Sequence, residues 1–286
     1  MIGNKIKNYL ELIRFFNPTG SFLLLYPIVI TFLWLAEFDQ LAMLGLFVIG
    51  TFLMRSCGCI INDLCDYKFD SKVTRTKNRP LSSGQLSKIE AVIILLVLLS
   101  CALLILLQLN NKAIIFGLSL IIPISIYPLT KRFFKYPQLF LGATFNLGVF
   151  LMWLALGQDI SIIPFILYLA FVFWTIGYDT VYAHQDIEDD MALGLRSTAI
   201  SFGEYNLRII MFCYILFIVL LLISGILKGY GFIYFALLNL LGIYILGRLS
   251  FLDLANKADC LRFFKFNNMI GIILVILFLM PILFYN

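Results

Sequence analysis

The sequence predicts an all-α, polytopic membrane protein with about nine transmembrane helices. Of its 286 residues, 62% are hydrophobic and 13% are charged, and its mean hydropathy is +0.99. Soluble proteins are about half apolar and about a quarter charged. A helix needs roughly 20 mostly apolar residues to cross a hydrocarbon core of ~30 Å, and stretches of that length recur along the chain. They lack the alternating rhythm of an outer-membrane barrel, so we predict helices.

The nine predicted spans cover most of the chain after a polar N-terminal segment. They lie at residues 20–38, 42–61, 89–109, 112–129, 138–157, 162–181, 207–227, 231–251 and 268–285. Residues 1–17 are polar and basic and contain no short apolar stretch before a small-residue site, so we expect no cleavable signal peptide.

Lysine and arginine are distributed very unequally between the two sides of these spans. The N-terminal segment and the loops after spans 2, 4, 6 and 8 hold 18 of the 21 basic residues, whereas the other side holds Lys112 and Lys228. Basic residues stay cytoplasmic, so we expect a multi-pass protein of the cell inner membrane with its long polar segments facing the cytoplasm. The net charge of +5 is then a topology signal and does not indicate nucleic-acid binding.

The six cysteines lie mostly within spans or on the cytoplasmic side, so we expect no disulfide framework. Cys57 and Cys59 have the spacing of a metal pair, but small residues packing a helix interface are the better explanation.

Two long polar segments on the predicted cytoplasmic side are rich in acidic residues. The first, residues 62–88, begins within "INDLCDYKFD", and the second, residues 179–206, begins within "YDTVYAHQDIEDD". If the preceding spans continue as helices, residues at offsets of 0, 7 and 11 lie within about 40° of one another. Two sets have these offsets: Arg55, Asn62 and Asp66, and Asp179, Asp186 and Asp190.

The two segments therefore present matching stripes. Asp70 and Tyr182 lie at the stripe edges, whereas Glu188 and Asp189 point elsewhere. A hydrated acidic loop is the simpler explanation for one cluster, but two clusters on corresponding helix faces make it less favoured. Carboxylates in a partly desolvated cavity repel one another unless cations neutralise them. Oxygen ligands suit Mg²⁺, which commonly bridges carboxylates to substrate phosphates.

Basic residues next to both clusters favour a diphosphate as the bound group. They are Lys72, Arg75, Lys77 and Arg79 after the first cluster, and Lys131 and Arg132 at the end of span 4. The positive-inside rule is the alternative explanation for these charges. The sequence thus predicts a Mg²⁺ site that holds a phosphorylated substrate whose apolar remainder lies in the membrane.

Arg55 lies roughly 10 Å inside its span relative to Asn62. A charge there is costly unless it faces a cavity or a partner, so Arg55 either snorkels toward the cytoplasm or binds an anionic group of a second substrate. Pairing with Asp179 is possible. His184 is either a general base or a hydrogen-bonding bystander, and we favour the bystander.

At these residues the chain resembles the intramembrane aromatic prenyltransferases of the UbiA superfamily, and most of all its 4-hydroxybenzoate subgroup. The family motif N-D-x-x-D-x-x-x-D matches Asn62 to Asp70, and the motif D-x-x-x-D matches Asp186 and Asp190. The runs "RTKNRPLSSG", "YPLTKRFFKYPQLFLGATFNLG" and "YDTVYAHQDIEDDMALGLRSTAISFG" extend the resemblance over most of residues 10–205. One departure is Phe16, where the subgroup usually has an acid. The accompanying Arg14, Pro18, Gly20 and Pro27 are present.

The resemblance implies one transmembrane prenyltransferase domain, residues 1–286, whose helices surround a central cavity capped by both Asp-rich segments. It implies a Mg²⁺ cofactor, a polyprenyl diphosphate and 4-hydroxybenzoate as substrates, and a lipid bilayer around the protein, with no nucleic-acid partner and no obligate protein partner evident. The implied metal ligands are Asn62, Asp66, Asp186 and Asp190, assisted by Asp63 and Asp70, and the implied catalytic acids are Asp66, Asp70, Asp186 and Asp190. The implied diphosphate ligands are Arg75, Arg79, Lys131 and Arg132. The residues implied at the aromatic substrate are Arg55, Asp179 and Tyr182.

Other functions stay open. The acceptor could be homogentisate or a naphthoate, or the product could be a haem precursor. An ion-coupled transporter would place its acids near the bilayer midplane, whereas most acids here lie at one boundary. A CDP-alcohol phosphotransferase would carry the opening D-G-x-x-A-R, which this sequence lacks.

Overall fold

The computed structural model describes residues 2–35 and 37–284, and within them the regular structure is helical throughout. Its α-helices are α1 (Ile2–Leu12), α2 (Thr19–Leu35), α3 (Leu41–Asp70), α4 (Lys88–Leu106), α5 (Asn111–Ser119), α6 (Ile121–Ile126), α7 (Thr130–Phe133), α8 (Pro137–Phe145), α9 (Gly148–Ala155), α10 (Ile162–Ala183), α11 (Ile187–Ala192), α12 (Thr198–Ser201), α13 (Asn206–Lys228), α14 (Phe232–Ser250) and α15 (Lys257–Phe284). Short 3-10 turns lie at Phe38–Gln40, Tyr127–Leu129, His184–Asp186 and Gly203–Tyr205.

The prediction of a polytopic all-α membrane protein is confirmed. Within the described residues, eight helical stretches are long and apolar enough to cross a membrane, and the apolar helix α2 is a shorter ninth. Every predicted span coincides with one of these nine, although the boundaries differ.

Two predicted spans are divided in the structure. In the fourth, α5 ends at Ser119 because Pro123 has no N–H to donate to the carbonyl of that residue. Pro128 then lies in the 3-10 turn that separates α6 from α7. The fifth is broken between α8 and α9, where the Asn146 side chain donates to the Gly142 carbonyl at 2.8 Å and to the Thr175 hydroxyl at 2.9 Å. That side chain ties the break to α10.

The helices reach further into the polar segments than hydropathy indicates. Helix α3 continues without a break to Asp70, so the assumption behind the first stripe holds. Helix α10 instead passes into the 3-10 turn His184–Asp186 before α11 begins, which alters the register assumed for the second stripe. Helix α15 starts at Lys257 rather than at residue 268, with the Asn256 side chain accepting from the N–H of Ala258 at 3.0 Å. Hydropathy marks only the apolar part of such a helix.

The centre of the bundle is an aromatic layer around α10. Trp174 stacks on Phe217 of α13, with ring centroids 5.2 Å apart and an angle of 9° between the planes. The buried Asn267 of α15 accepts hydrogen bonds from the Trp174 indole and the Tyr214 hydroxyl, both at 2.7 Å. One satisfied amide therefore joins α10, α13 and α15, which specifies their register.

Contacts near the two ends of the bundle show at which end each polar segment lies. At one end, Lys257 pairs with Glu188, and the N–H of Thr74 donates to Asp189 at 3.0 Å. At the other end, Lys112 pairs with Asp159 at 2.6 Å. Both Asp-rich segments therefore lie at the same end. Helix α1 covers part of that end, with Leu12 fully buried in an apolar cluster.

Candidate active site

A cavity of about 830 Å³ lies inside the bundle and is lined by residues from both Asp-rich segments. Its volume falls within the ~300–1,000 Å³ usual for small-molecule sites. The described lining includes most of the two predicted stripes: Arg55, Asn62, Asp179, Tyr182, Asp186 and Asp190. Asp66 and Asp70, both predicted on the first stripe or at its edge, do not line it. Apolar walls come from α2, α3, α6 and α8: Leu23, Leu24, Met54, Ile124, Leu141 and Phe145.

Arg75 links the loop after α3 to the second Asp-rich segment. Its Nε donates to Asp186 Oδ1 at 2.8 Å, its Nη2 pairs with the other oxygen of that carboxylate, and its Nη1 donates to the Tyr182 hydroxyl at 3.0 Å. Burial lowers the pKa of Arg75, but the hydrogen bond to Asp186, together with the charges of Tyr182, Asp186 and Asp70, outweighs burial and raises the pKa above its usual value. The cavity wall thus holds a charged fork suited to an anionic oxygen.

Asp66 and Arg132 form a second pair that joins α3 to α7. Arg132 Nη2 donates to Asp66 Oδ1 at 3.1 Å and to the Cys65 carbonyl at 2.7 Å. The neighbouring Lys131 lines the cavity. Of the two basic residues predicted here, Lys131 therefore reaches the cavity directly, and Arg132 holds a carboxylate behind its wall.

Asp63 is the centre of an ion network. It is fully buried, and Arg14 Nη2 lies 2.6 and 2.8 Å from its two oxygens. Arg79 Nη1 donates to Asp63 Oδ1 at 3.1 Å and to Asp70 Oδ2 at 2.7 Å. Arg14 has a φ of 62°, an uncommon value for a residue with a side chain. Both arginines line the cavity, so Asp63 orients cationic groups from behind the wall.

This network predicts that Asp63→Asn lowers stability. The substitution leaves Arg14 without its anionic partner and Arg79 with Asp70 as its one remaining carboxylate among the described residues. Because their side chains are 21% exposed, we expect a loss of about 2–3 kcal/mol rather than the ~3–5 kcal/mol of a fully buried pair. Thermal unfolding of the detergent-purified protein measures it. Glu11→Gln, which removes an exposed partner of Lys7, is the control, and a midpoint for Asp63→Asn equal to that of the control would contradict the network's structural role.

The remaining predicted residues are placed as follows. Arg55 and Asp179 both line the cavity but form no ion pair among the described residues. His184 is buried, and its Nδ1 lies 2.8 Å from the Thr180 carbonyl, which agrees with a bystander. Glu188 and Asp189 bind Lys257 and Thr74 instead of facing the cavity, in agreement with the stripe geometry.

Several lining residues escaped the sequence analysis. They are Lys7, Asn17, Asn78, Tyr127, Gln138, Tyr178, Gln185, Phe264 and Lys265. Lys265 falls in the predicted loop between residues 251 and 268, whereas the structure has it on α15, with no carboxylate at ion-pair distance in the described part of the chain. Its signal was present in the alternation of apolar and basic residues in "LRFFKFNN", which suits a helix at a boundary.

Comparison with known proteins places this arrangement in a family. A model described as "UbiA prenyltransferase family" matches residues 24–270. The chain belongs to the UbiA prenyltransferase family. A relative named 4-hydroxybenzoate octaprenyltransferase, from Neisseria meningitidis serogroup C, is 38% identical over 272 residues, covering 94% of this chain and 92% of the relative.

Two further members of the UbiA family extend the comparison. A protein named mitochondrial 4-hydroxybenzoate polyprenyltransferase, from Schizosaccharomyces pombe, is 40% identical over 281 residues, covering 95% of this chain and 78% of that protein. A solved UbiA homologue from Archaeoglobus fulgidus, bound to GPP and Mg²⁺, has a TM-score of 0.69 at 19% identity, covering 95% of this chain and 98% of that one. At that identity, the likeness shows the fold.

The donor atoms at the Asp-rich end fit the metal that the UbiA family implies. Asn62, Asp186 and Asp190 line one cavity and offer only oxygen or amide groups, which is the ligand chemistry of Mg²⁺. Among the residues described, no three acidic, histidine or cysteine side chains converge closely enough to hold an ion. Two of the acids, Asp66 and Asp186, are each bound by an arginine. Those arginines occupy the anionic oxygens that a cation would bind.

Proposed function

We propose that this UbiA family member transfers a polyprenyl group from polyprenyl diphosphate to 4-hydroxybenzoate in a Mg²⁺-dependent reaction. The product is 3-polyprenyl-4-hydroxybenzoate, a ubiquinone precursor. One observation carries the proposal: a single cavity holds Arg55 among apolar walls and a cluster of carboxylates and basic groups at the Asp-rich end. The names of the curated relatives support the same reaction and acceptor.

The Asp-rich end is the proposed site of the diphosphate. Asn62, Asp66, Asp186 and Asp190 would hold Mg²⁺, with Asp63 and Asp70 assisting through the arginines they orient. When bound, Mg²⁺ supplies positive charge that neutralises a diphosphate and makes it a better leaving group. Three basic groups that line the cavity, Arg75, Arg79 and Lys131, would stabilise the departing diphosphate directly. Arg132 would contribute its charge from behind the wall. Arg75 already donates to a carboxylate, so a phosphate oxygen can replace that acceptor.

The apolar part of the cavity is the proposed site of the acceptor. Arg55 would bind the carboxylate of 4-hydroxybenzoate, with Asp179 and Tyr182 also lining the cavity. Arginine suits this role because its planar fork matches a carboxylate. The walls of leucine, isoleucine and phenylalanine would exclude water from the reacting carbon atoms.

The proposed step breaks one bond and forms another. The bond between the allylic carbon and the diphosphate oxygen breaks, and both electrons leave with the diphosphate. The ring carbon ortho to the hydroxyl then forms a carbon–carbon bond to the allylic cation. The proton on that ring carbon passes to a basic group, for which the released diphosphate supplies oxygens, and the ring becomes aromatic again.

The basic residues also support the proposed orientation. The Asp-rich end carries nearly all of the lysines and arginines, so it would face the cytoplasm of a bacterial cell and the protein would lie in the inner membrane. Relatives from both bacteria and mitochondria carry the reaction name. We propose that residues 1–286 act as one transmembrane prenyltransferase domain.

An assay of the purified protein tests this function. We expect labelled 4-hydroxybenzoate and a polyprenyl diphosphate to give 3-polyprenyl-4-hydroxybenzoate with Mg²⁺, and no product after chelation with EDTA until Mg²⁺ is restored. Homogentisate and a dihydroxynaphthoate are the comparison acceptors. Product from either of them, with none from 4-hydroxybenzoate, would overturn the choice of acceptor. Product that forms equally well in EDTA would overturn the metal dependence.

A further inference from the structure

Arg55 lies against a glycine on the neighbouring helix. A methyl group built on Gly20, near the start of α2, would lie 2.7 Å from Arg55 Nη2, 3.0 Å from Nε and 3.1 Å from Cζ. Real methyl groups almost never come this close to another atom. Arg55 can therefore occupy its observed position only because residue 20 has no side chain.

The Arg55 guanidinium also lies near an aromatic ring. Arg55 Cζ lies 5.5 Å from the centroid of Phe145, which is a cation–π distance. Gly20, Arg55 and Phe145 all line the cavity, although they come from α2, α3 and α8. The other close glycine contacts among the described residues are with apolar, aromatic or backbone atoms, as at Gly117 and Gly177. At Gly20 the close contact is with a charged group.

We propose that Gly20 and Phe145 form a seat that fixes the Arg55 guanidinium for the acceptor carboxylate, and that Gly20 is a positioning residue. The inference rests on the proposed function, in which Arg55 binds 4-hydroxybenzoate. A free arginine would lose rotamer freedom on binding, whereas a seated one is preorganised. Two parallel hydrogen bonds to a carboxylate also require the fork to be correctly placed, and a shift of about 1 Å can cost as much as a hundredfold in rate.

The substitution Gly20→Ala tests the seat. The new methyl group meets the far end of a flexible side chain, so Arg55 shifts while the helices stay in place. We expect the Kd for radiolabelled 4-hydroxybenzoate, measured on the purified protein without donor, and the KM for the same acceptor to rise about tenfold. The KM for polyprenyl diphosphate and the unfolding temperature should stay unchanged. Gly45→Ala is the matched control, because a methyl group there on α3 meets nothing within 4 Å.

A double-mutant cycle separates positioning from general disturbance of the cavity. If Gly20 acts through Arg55, then Gly20→Ala should weaken acceptor binding no further in an Arg55→Ala background. An equal loss in both backgrounds would overturn the inference. Phe145→Leu provides a second variant should Gly20→Ala not fold, with an expected loss of about threefold to tenfold in acceptor affinity. Unchanged acceptor affinity in Phe145→Leu would show that the Phe145 ring does not position Arg55.

These measurements distinguish an error in the positioning role of Gly20 from an error in the proposed role of Arg55. Reduced acceptor affinity in Arg55→Ala, together with normal affinity in Gly20→Ala, would overturn the seat and leave the proposed function intact. Normal affinity in Arg55→Ala would overturn the role of Arg55 in the proposed function, and the seat with it.

Discussion

Asp186→Asn should lower kcat by at least about a thousandfold. The substitution keeps the shape of the side chain but removes one negative charge from the cavity wall. It therefore replaces a proposed anionic Mg²⁺ ligand with a weaker, neutral amide and removes the anionic partner of Arg75, which binds both carboxylate oxygens. Losing one preorganised electrostatic group in an active site costs roughly a hundredfold to a thousandfold, and the weakened metal site adds to that cost.

Turnover of 4-hydroxybenzoate at saturating substrate, over a range of Mg²⁺ concentrations, measures this effect. Glu188→Gln is the matched control, since it makes the same kind of change two residues away on an exposed pair with Lys257. Exposed pairs contribute little, so the control should keep normal turnover and Mg²⁺ dependence. Turnover of Asp186→Asn within tenfold of the parent would remove Asp186 from the catalytic acids.

Arg55→Ala should reduce kcat/KM for 4-hydroxybenzoate by about 30-fold to 1,000-fold. This range corresponds to the ~2–4 kcal/mol that is lost when one partner of a buried, hydrogen-bonded charge pair is truncated. The acceptor carboxylate would then enter an apolar part of the cavity with no cation to bind it. Since Arg55 lies away from the Asp-rich end, the KM for polyprenyl diphosphate should change less than about threefold, which is small beside the acceptor effect.

Steady-state kinetics with each substrate varied in turn separate the two effects. Arg55→Lys keeps the charge but loses the planar fork, so its acceptor kcat/KM should fall between those of the parent and Arg55→Ala. Equal losses for both substrates would contradict a role confined to the acceptor. An acceptor KM unchanged in Arg55→Ala would exclude Arg55 from carboxylate binding.

The membrane fold was predictable because the bilayer imposes a local requirement. Within each span, about 20 apolar residues must form all their backbone hydrogen bonds with one another. Composition therefore marks each helix without any tertiary information. The same locality makes the stripe on α3 predictable: Arg55 and Asn62 are seven residues apart on one unbroken helix, and both line the cavity.

Prediction was less complete where the helix changes type or begins outside its apolar stretch, because hydropathy marks neither feature. The 3-10 turn at His184–Asp186 altered the register of the second stripe, yet Asp186 and Asp190 still line the cavity. Helix α15 begins eleven residues before its predicted span, with an asparagine cap that hydropathy does not detect. Lys265 was consequently assigned to a loop instead of to the cavity wall.

Hydropathy and helical periodicity act over neighbouring residues, so the amino-acid order alone predicts a helical membrane protein with two acidic clusters at one boundary. The charge that each acid meets depends on the packed fold: Asp63 binds Arg14, and Asp186 binds Arg75, which is 111 residues away. The packed fold also brings Gly20 against Arg55. Such pairings depend on how separate helices pack, and no spacing along one helix encodes them.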